Sequence, residues 1–247
     1  SLAIARIGID RADQCDLMIF SMGKCGGQEL NYLSDVDVIF MISPNGSLEP
    51  DENLNIATRL AQRVISVCSS ANTEGSIWQV DANLRPEGKQ GALVRTSSSY
   101  EKYYETWAQD WEFQALLKIR HVCGDPNEAL RFLHFAQSAV WTAADRQGFV
   151  DSVQSMRHAV LDQIPVHERD REIKLGKGGL RDVEFTLQLL QIVHGRTDVM
   201  IHSANTLIAI EQLSTWGYIG RTDAAKLMKA DRKSTRLNSS HANISYA

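Results

Sequence analysis

Short apolar runs broken by turn residues and one helical stripe fill the first third of the chain, and apolar positions recur at helical spacing along most of the rest. DLMIFSM (16–22) and DVDVIFM (35–41) are short apolar runs bounded by turn residues, so each is predicted to be a strand. Between them GKCGGQELNYLS reads as a glycine turn with at most one helical turn, and SPNGSLEPDE (43–52) follows as a loop. From Asn53 to Ser69, Ile56, Leu60, Val64, Val67 and Cys68 recur at three- and four-residue steps, the stripe of an amphipathic helix. SIWQVDANL (76–84) is the third predicted strand, and Pro86, Gly88 and Gly91 mark a loop ahead of ALVRT. Beyond Ser97 the spacing is helical almost throughout, with helices predicted over 98–120, 126–142, 148–163, 180–194, 203–215 and 221–229.

Strands early and helices late predict an α+β chain: a small sheet with helices over 1–96, then an all-α helical bundle over 97–230. The last seventeen residues, DRKSTRLNSSHANISYA (231–247), keep neither period and are rich in Ser and Asn. They resemble the translation of a sequencing adapter, are expected to be foreign to the fold, and no site residue is sought there.

The 26 Lys and Arg against 30 Asp and Glu give a net charge of −4, which argues against a polymerase-like grip on nucleic acid. Setting the tail aside removes three basic residues and one acid, and makes the remainder more acidic still. No run of 18 apolar residues or signal peptide is visible, so no membrane partner is expected. The first residue is not Met, which suggests a fragment. Four scattered cysteines, Cys15, Cys25, Cys68 and Cys123, fit reduced thiols in the cytoplasm better than disulfides or a zinc site.

The chemistry concentrates in Gly23-Lys24-Cys25-Gly26-Gly27 and Ser34-Asp35-Val36-Asp37. Residues i and i+2 of a strand share a face, so Asp35 and Asp37 point together while Val36, Val38 and Phe40 enter the core. Two carboxylates about 5 Å apart repel by roughly 3 kcal/mol at an effective dielectric near 20, a cost that a divalent cation between them offsets. Mg²⁺ takes a few hard oxygen ligands and completes its shell with water and substrate phosphates. Asp81, on the third strand, joins the pair if that strand lies beside DVDVIFM. The trio Asp35, Asp37 and Asp81 is then the expected metal-binding and catalytic set, with Asp81 placed to activate an attacking oxygen. Gly26 and Gly27 are expected to offer uncovered N–H groups to phosphate, with Ser34 beside them and Lys24 and Arg85 neutralising phosphate oxygens.

Other features have bland alternatives. Lys174, Lys177 and Arg181 around the glycines at 176, 178 and 179 either bind an anion at a helix N-terminus or form a turn docking the helical domain. In the latter case Arg181, Asp182 and Glu184 make salt bridges between domains. Tyr100, Tyr104, Trp107 and Trp111 follow four-three-four spacing on one predicted helix, more often a core stripe than a base-stacking platform. Glu112, Lys118 and Arg120 are polar in a strongly apolar segment, as buried partners of a nucleotide site or as solvated or salt-bridged positions. The seven histidines form no zinc motif.

The double glycine, the Asp-x-Asp and the acidic third strand resemble the nucleotidyltransferase superfamily that includes DNA polymerase β. Longer strings, GKCGGQELNYLSDVDVIF, VDANLRPEGKQGALVRT, WEFQALLKIRHVCGD and KLGKGGLRDVEFTLQLLQIVHGR, resemble bacterial glutamine synthetase adenylyltransferase/adenylyl-removing enzyme over essentially all of residues 1 to 230. Cys25 stands where Leu is common in that family. NYLSDVDVIF and KLGKGGLRDVEF are more similar to its N-terminal, adenylyl-removing half. The resemblance implies a nucleotidyltransferase catalytic domain at 1–96, with Asp35, Asp37 and Asp81 as ligands of Mg²⁺ (or Mn²⁺). It implies removal of AMP from a tyrosine of glutamine synthetase by phosphorolysis, releasing ADP, with ATP-dependent adenylylation or an idle docking module as the rivals. The implied partners are glutamine synthetase, ADP or ATP, phosphate, and a nitrogen-signalling PII protein acting through a regulatory region absent from this chain.

Overall fold

In the computed structural model, residues 9–244 are described, apart from 32–33, 44–47, 71–77, 168–171 and 173, and side chains are described up to 232. The described residues divide into two units, one of 9–30, 34–108 and 118–137, the other of 31, 109–117 and 138–244.

The first unit is built on a five-stranded mixed sheet. Strand β1 (Leu17–Ser21) lies antiparallel to β2 (Val36–Ile42) in the register Leu17↔Ile42 to Ser21↔Val38. The short β3 (Val80–Asp81) runs parallel to the start of β2, and β4 (Val94–Thr96) parallel to its end. β5 (Arg120–Cys123) pairs antiparallel with the other side of β1. Between β1 and β2 the chain makes a four-residue helical turn, α1 (Gly23–Gly26). Helix α2 (Pro50–Ser69) starts on Pro50, whose missing N–H costs nothing at that position, with Asp51 and Glu52 in its first turn. Its Ala57 and Ala61 pack with Val38, Phe40, Ile42, Ala82 and Val94, so the even positions of β2 enter the core as the alternation predicts. Helix α3 (Ser97–Thr106) is capped by Thr96, whose hydroxyl accepts from the Ser99 N–H at 3.2 Å. Fully buried Tyr100 donates to the Phe40 carbonyl at 3.3 Å and meets Phe132 edge-on.

The second unit is helical: α4 (Asp110–Leu116), the end of α5 (Pro126–Thr142), α6 (Phe149–Asp162), α7 (Leu180–Gly195), α8 (Thr206–Thr215) and α9 (Arg221–Ile244). Its core joins Val183 and Leu187 of α7, Ile201 of the short 3-10 turn Val199–Ile201, Ile210 and Leu213 of α8, and Ala224 of α9. Trp141 stacks on His202 at 3.6 Å between ring centroids. No described helix is long and apolar enough to cross a membrane.

Three expectations change. The helix expected over 98–120 breaks after Thr106: the N–H groups of Trp107 and Ala108 both turn back to the Tyr103 carbonyl, and Gln109 with Glu112 forms a capping box that starts α4. Trp107, 58% exposed, and Trp111 therefore do not continue the stripe of buried Tyr100, Tyr103 and Tyr104. The same stretch ends in a strand, β5, and 97–108 and 118–137 belong with the sheet rather than with the helical unit. The expected strand 76–84 is paired only at Val80–Asp81: its first two residues lie outside the described residues, and Asn83 and Leu84 belong to a turn. The backbone of α9 runs on to Ile244, into the stretch expected to be foreign; the side chains there from 233 on lie outside the described residues.

Candidate active site

The parallel register of β2 and β3 sets Val36 beside Val80 and Asp37 beside Asp81. Register partners in a sheet share a face, and parallel neighbours lie about 4.8 Å apart. Val80 and Ala82 pack toward the core cluster, which leaves Asp81 on the opposite face with Asp37, and Asp35 precedes β2 by one residue in the same phase. Asp35 and Asp81 line a single cavity of about 420 Å³, together with Ile65, Gln79, Asn83, Arg85 and Leu93. The Asp81 Oδ1 accepts the Asn83 N–H at 2.7 Å, an Asx turn that orients this carboxylate and was not foreseen from the sequence.

Asp37 is seated differently. Its carbonyl accepts the Met22 N–H at 2.9 Å, and its carboxylate lies against the α-carbon of Gly23. A β-carbon on Gly23 would stand 3.1 Å from the Asp37 Cγ and overlap Oδ2, and Gly23 also has φ +51°, a conformation that favours glycine. The glycine that matters to the acids is therefore Gly23, one turn ahead of the pair expected. Gly26 and Gly27 are buried, and their N–H groups donate to Met22 and Gly23 carbonyls at 2.8 and 3.0 Å. The expected phosphate cradle on these two amides is not present, because the turn itself consumes them. What Gly26 supplies is close approach: a β-carbon there would stand 2.9 Å from the carbonyl carbon of Lys118 and overlap its oxygen.

The two expected cations differ. Lys24 is partly exposed on the turn, with no ammonium partner among the described residues. Arg85 donates from Nε to the Gly91 carbonyl at 3.1 Å, and from its two terminal nitrogens to the carbonyls of Ala82 at 2.8 Å and Lys89 at 3.2 Å. It is thus first a staple of the 82–91 loop. Two of its five N–H groups remain for the cavity it lines. Ser34 is partly exposed beside Asp35.

Among the described residues no three His, Cys, Asp or Glu side chains converge as a ready-made metal site. The donor chemistry nonetheless fits a hard divalent cation. Two carboxylates are register neighbours, a third shares the cavity with one of them, and the Asp81 Oδ2 is outside the Asn83 bond.

In the second unit the turn 174–182 is filled by its own carboxylate. Asp182 accepts the Gly178 N–H at 2.6 Å and pairs with Arg157 at 2.5 Å, and Arg157 also donates to the Leu175 and Gly176 carbonyls. The Asp182 salt bridge expected between domains lies instead inside the unit. Of the polar residues expected as buried nucleotide partners or as solvated or salt-bridged positions, Glu112 is buried as the capping-box acid of α4, and in the first unit Lys118 is salt-bridged to Glu29.

A family model described as glutamate-ammonia ligase adenylyltransferase matches residues 4–135, and one described as GlnD PII-uridylyltransferase matches residues 154–239. The chain is similar to proteins named bifunctional glutamine synthetase adenylyltransferase/adenylyl-removing enzyme. That of Streptomyces coelicolor is 53% identical over 237 residues, 94% of this chain and 24% of its own length. That of Bifidobacterium longum is 47% identical over 231 residues (92% and 22%), and that of Nocardia farcinica 49% over 227 residues (92% and 21%). The chain spans less than a quarter of the length of each of these relatives.

Proposed function

Because this chain belongs to the glutamate-ammonia ligase adenylyltransferase family, we propose that it removes AMP from an adenylylated tyrosine of glutamine synthetase by metal-dependent phosphorolysis in the cytoplasm. The observation that carries this reading is the parallel register that sets Asp37 beside Asp81, with Asp35 and Asp81 on one cavity. The removing direction is favoured by the strings NYLSDVDVIF and KLGKGGLRDVEF, which resemble the N-terminal half of the family. The uridylyltransferase match over 154–239 supports a PII signalling protein as a further partner.

In this reading an oxygen of inorganic phosphate attacks the AMP phosphorus in line, the bond to the tyrosine oxygen breaks, and ADP leaves with the tyrosine restored. Asp35, Asp37 and Asp81 hold Mg²⁺ or Mn²⁺, which when bound neutralises charge at phosphorus and stabilises the leaving phenolate. The two remaining N–H groups of Arg85 face phosphate oxygens in the cavity, and Lys24 adds charge at its edge. Phosphate arrives as an anion, so its attack relies less on a strong general base than attack by a tyrosine hydroxyl does.

The test is to mix the chain with adenylylated glutamine synthetase, Mg²⁺ and phosphate and to measure ADP. Formation of ADP is the expected result. No ADP, but pyrophosphate released from ATP with the unmodified protein, overturns the removing direction in favour of adenylylation.

A further inference from the structure

The segment entering β5 grips the glycine turn α1 from the end opposite Asp37. The guanidinium of Arg120 donates from Nε to the Gly26 carbonyl at 3.3 Å and from a terminal nitrogen to the Cys25 carbonyl at 3.0 Å. The Lys118 carbonyl presses on the α-carbon of Gly26, and the Lys118 ammonium donates to Glu29 at 2.7 Å, just beyond the turn. That ion pair is largely shielded, with side-chain exposures of 5% and 16%. The last carbonyls of a helical turn lack a full set of partners within it, and the guanidinium fork reaches two of them at once, the Cys25 carbonyl also accepting the Gln28 N–H at 3.3 Å.

Pairing of β5 with β1 needs only the Arg120 backbone, in register with Ser21. Among the described residues, the guanidinium's contacts go to the turn alone. The other end of that turn is Gly23, on which the Asp37 carboxylate rests. Only Lys24 and Cys25 lie between Gly26, at the grip, and Gly23, at the seat, and the Gly26 and Gly27 amides tie the two ends together.

We infer that Arg120 is a positioning residue: through the Gly23–Gly27 turn it holds the Asp37 carboxylate where a divalent cation is bound, and the Lys118–Glu29 pair steadies it. The inference rests on the metal-binding reading of the three aspartates proposed above.

The experiment compares the unsubstituted chain with Arg120→Met, Arg120→Lys and Asp37→Asn. Mn²⁺ binding is followed by electron paramagnetic resonance, amide exchange at Gly27 and Glu29 by NMR, and folding by thermal midpoint. Arg120→Met, which acts on Asp37 only through the turn, is expected to weaken Mn²⁺ binding by about tenfold at most, the low end of what losing a direct outer partner of a metal ligand costs. It is also expected to speed exchange at Gly27 and Glu29 about tenfold, while exchange at Phe40 and Met41 changes less and the midpoint falls modestly for the two hydrogen bonds lost, the chain staying folded. Arg120→Lys, which reaches one carbonyl instead of two, is expected to fall between and keeps the test open if the Met variant misfolds. Equal Mn²⁺ affinity in the folded Arg120 variants and the unsubstituted chain overturns the inference alone, as does unchanged exchange in the turn. No Mn²⁺ binding by the unsubstituted chain overturns the metal reading and the inference with it.

Discussion

The Asp37 carboxylate occupies the space into which a side chain on Gly23 would grow, 3.1 Å separating its Cγ from that missing β-carbon. Gly23→Ala therefore acts twice. It places a β-carbon at φ +51°, costing ~1 kcal/mol, and it displaces the carboxylate rather than the backbone, since the clash is with a side-chain end. The expected outcome is a small fall in thermal midpoint with a disproportionate loss of phosphorolysis. Full activity in a folded Gly23→Ala chain would show that the seat of Asp37 does not matter.

Replacing the acids one at a time separates chemistry from folding. Asp37→Asn and Asp35→Asn are expected to lower turnover by about 100-fold or more while leaving the midpoint unchanged or raised, as expected if carboxylates tolerated for a cation repel without it. Asp81→Asn keeps an acceptor for the Asn83 N–H, so its loop should hold while activity falls. A variant that melts early and remains active per folded molecule would place that acid outside the chemistry.

Much of this site was legible because alternation is a local signal. The two-residue period of DVDVIFM separates Asp35 and Asp37 from Val38 and Phe40, and the same period in SIWQVDANL puts Asp81 opposite Val80 and Ala82. What failed depends on partners far along the chain. The Gly26 and Gly27 amides are taken by carbonyls four residues back, and the closed turn that takes them packs against Lys118 and Arg120, more than ninety residues away. The aromatic spacing from Tyr100 to Trp111 suggested one helix, although Gln109 and Glu112 already spelled the capping box that restarts the chain. β5 was hidden because four residues, Arg120–Cys123, are too few to show a period.

The Glu128 carboxyl is held below its usual range chiefly by its hydrogen bonds to Arg131, with the Ser97 hydroxyl assisting. A carboxyl whose folded pKa is lowered contributes stability that is complete above its unfolded pKa, about 4.3, and is lost as pH falls through the folded value. The Arg131 end is nearly half exposed, so the contribution is at most ~1 kcal/mol. The difference in stability between the parent and Glu128→Gln should therefore be steady above about pH 5 and shrink toward pH 3. Denaturant melts at several pH values measure it. A difference that grows on acidification would contradict the pairing.

Arg85 offers the sharpest separation of scaffold from chemistry, because three of its five N–H groups already bind carbonyls of the loop that follows Asp81. Arg85→Met removes all of them and the charge. It should cost ~2–3 kcal/mol, each hydrogen bond contributing about 1 kcal/mol, and should release the Asp81 loop. Arg85→Lys keeps the positive charge on the cavity but cannot span Ala82, Lys89 and Gly91 together. If the residue serves mainly as a staple, Lys and Met variants melt alike and lose activity alike. If its free N–H groups also meet phosphate, the Lys variant keeps a lower KM for phosphate than the Met variant at equal stability. Since Arg85 lines the cavity with Asp35 and Asp81, the second outcome is expected, and identical KM values would leave Arg85 with the loop alone.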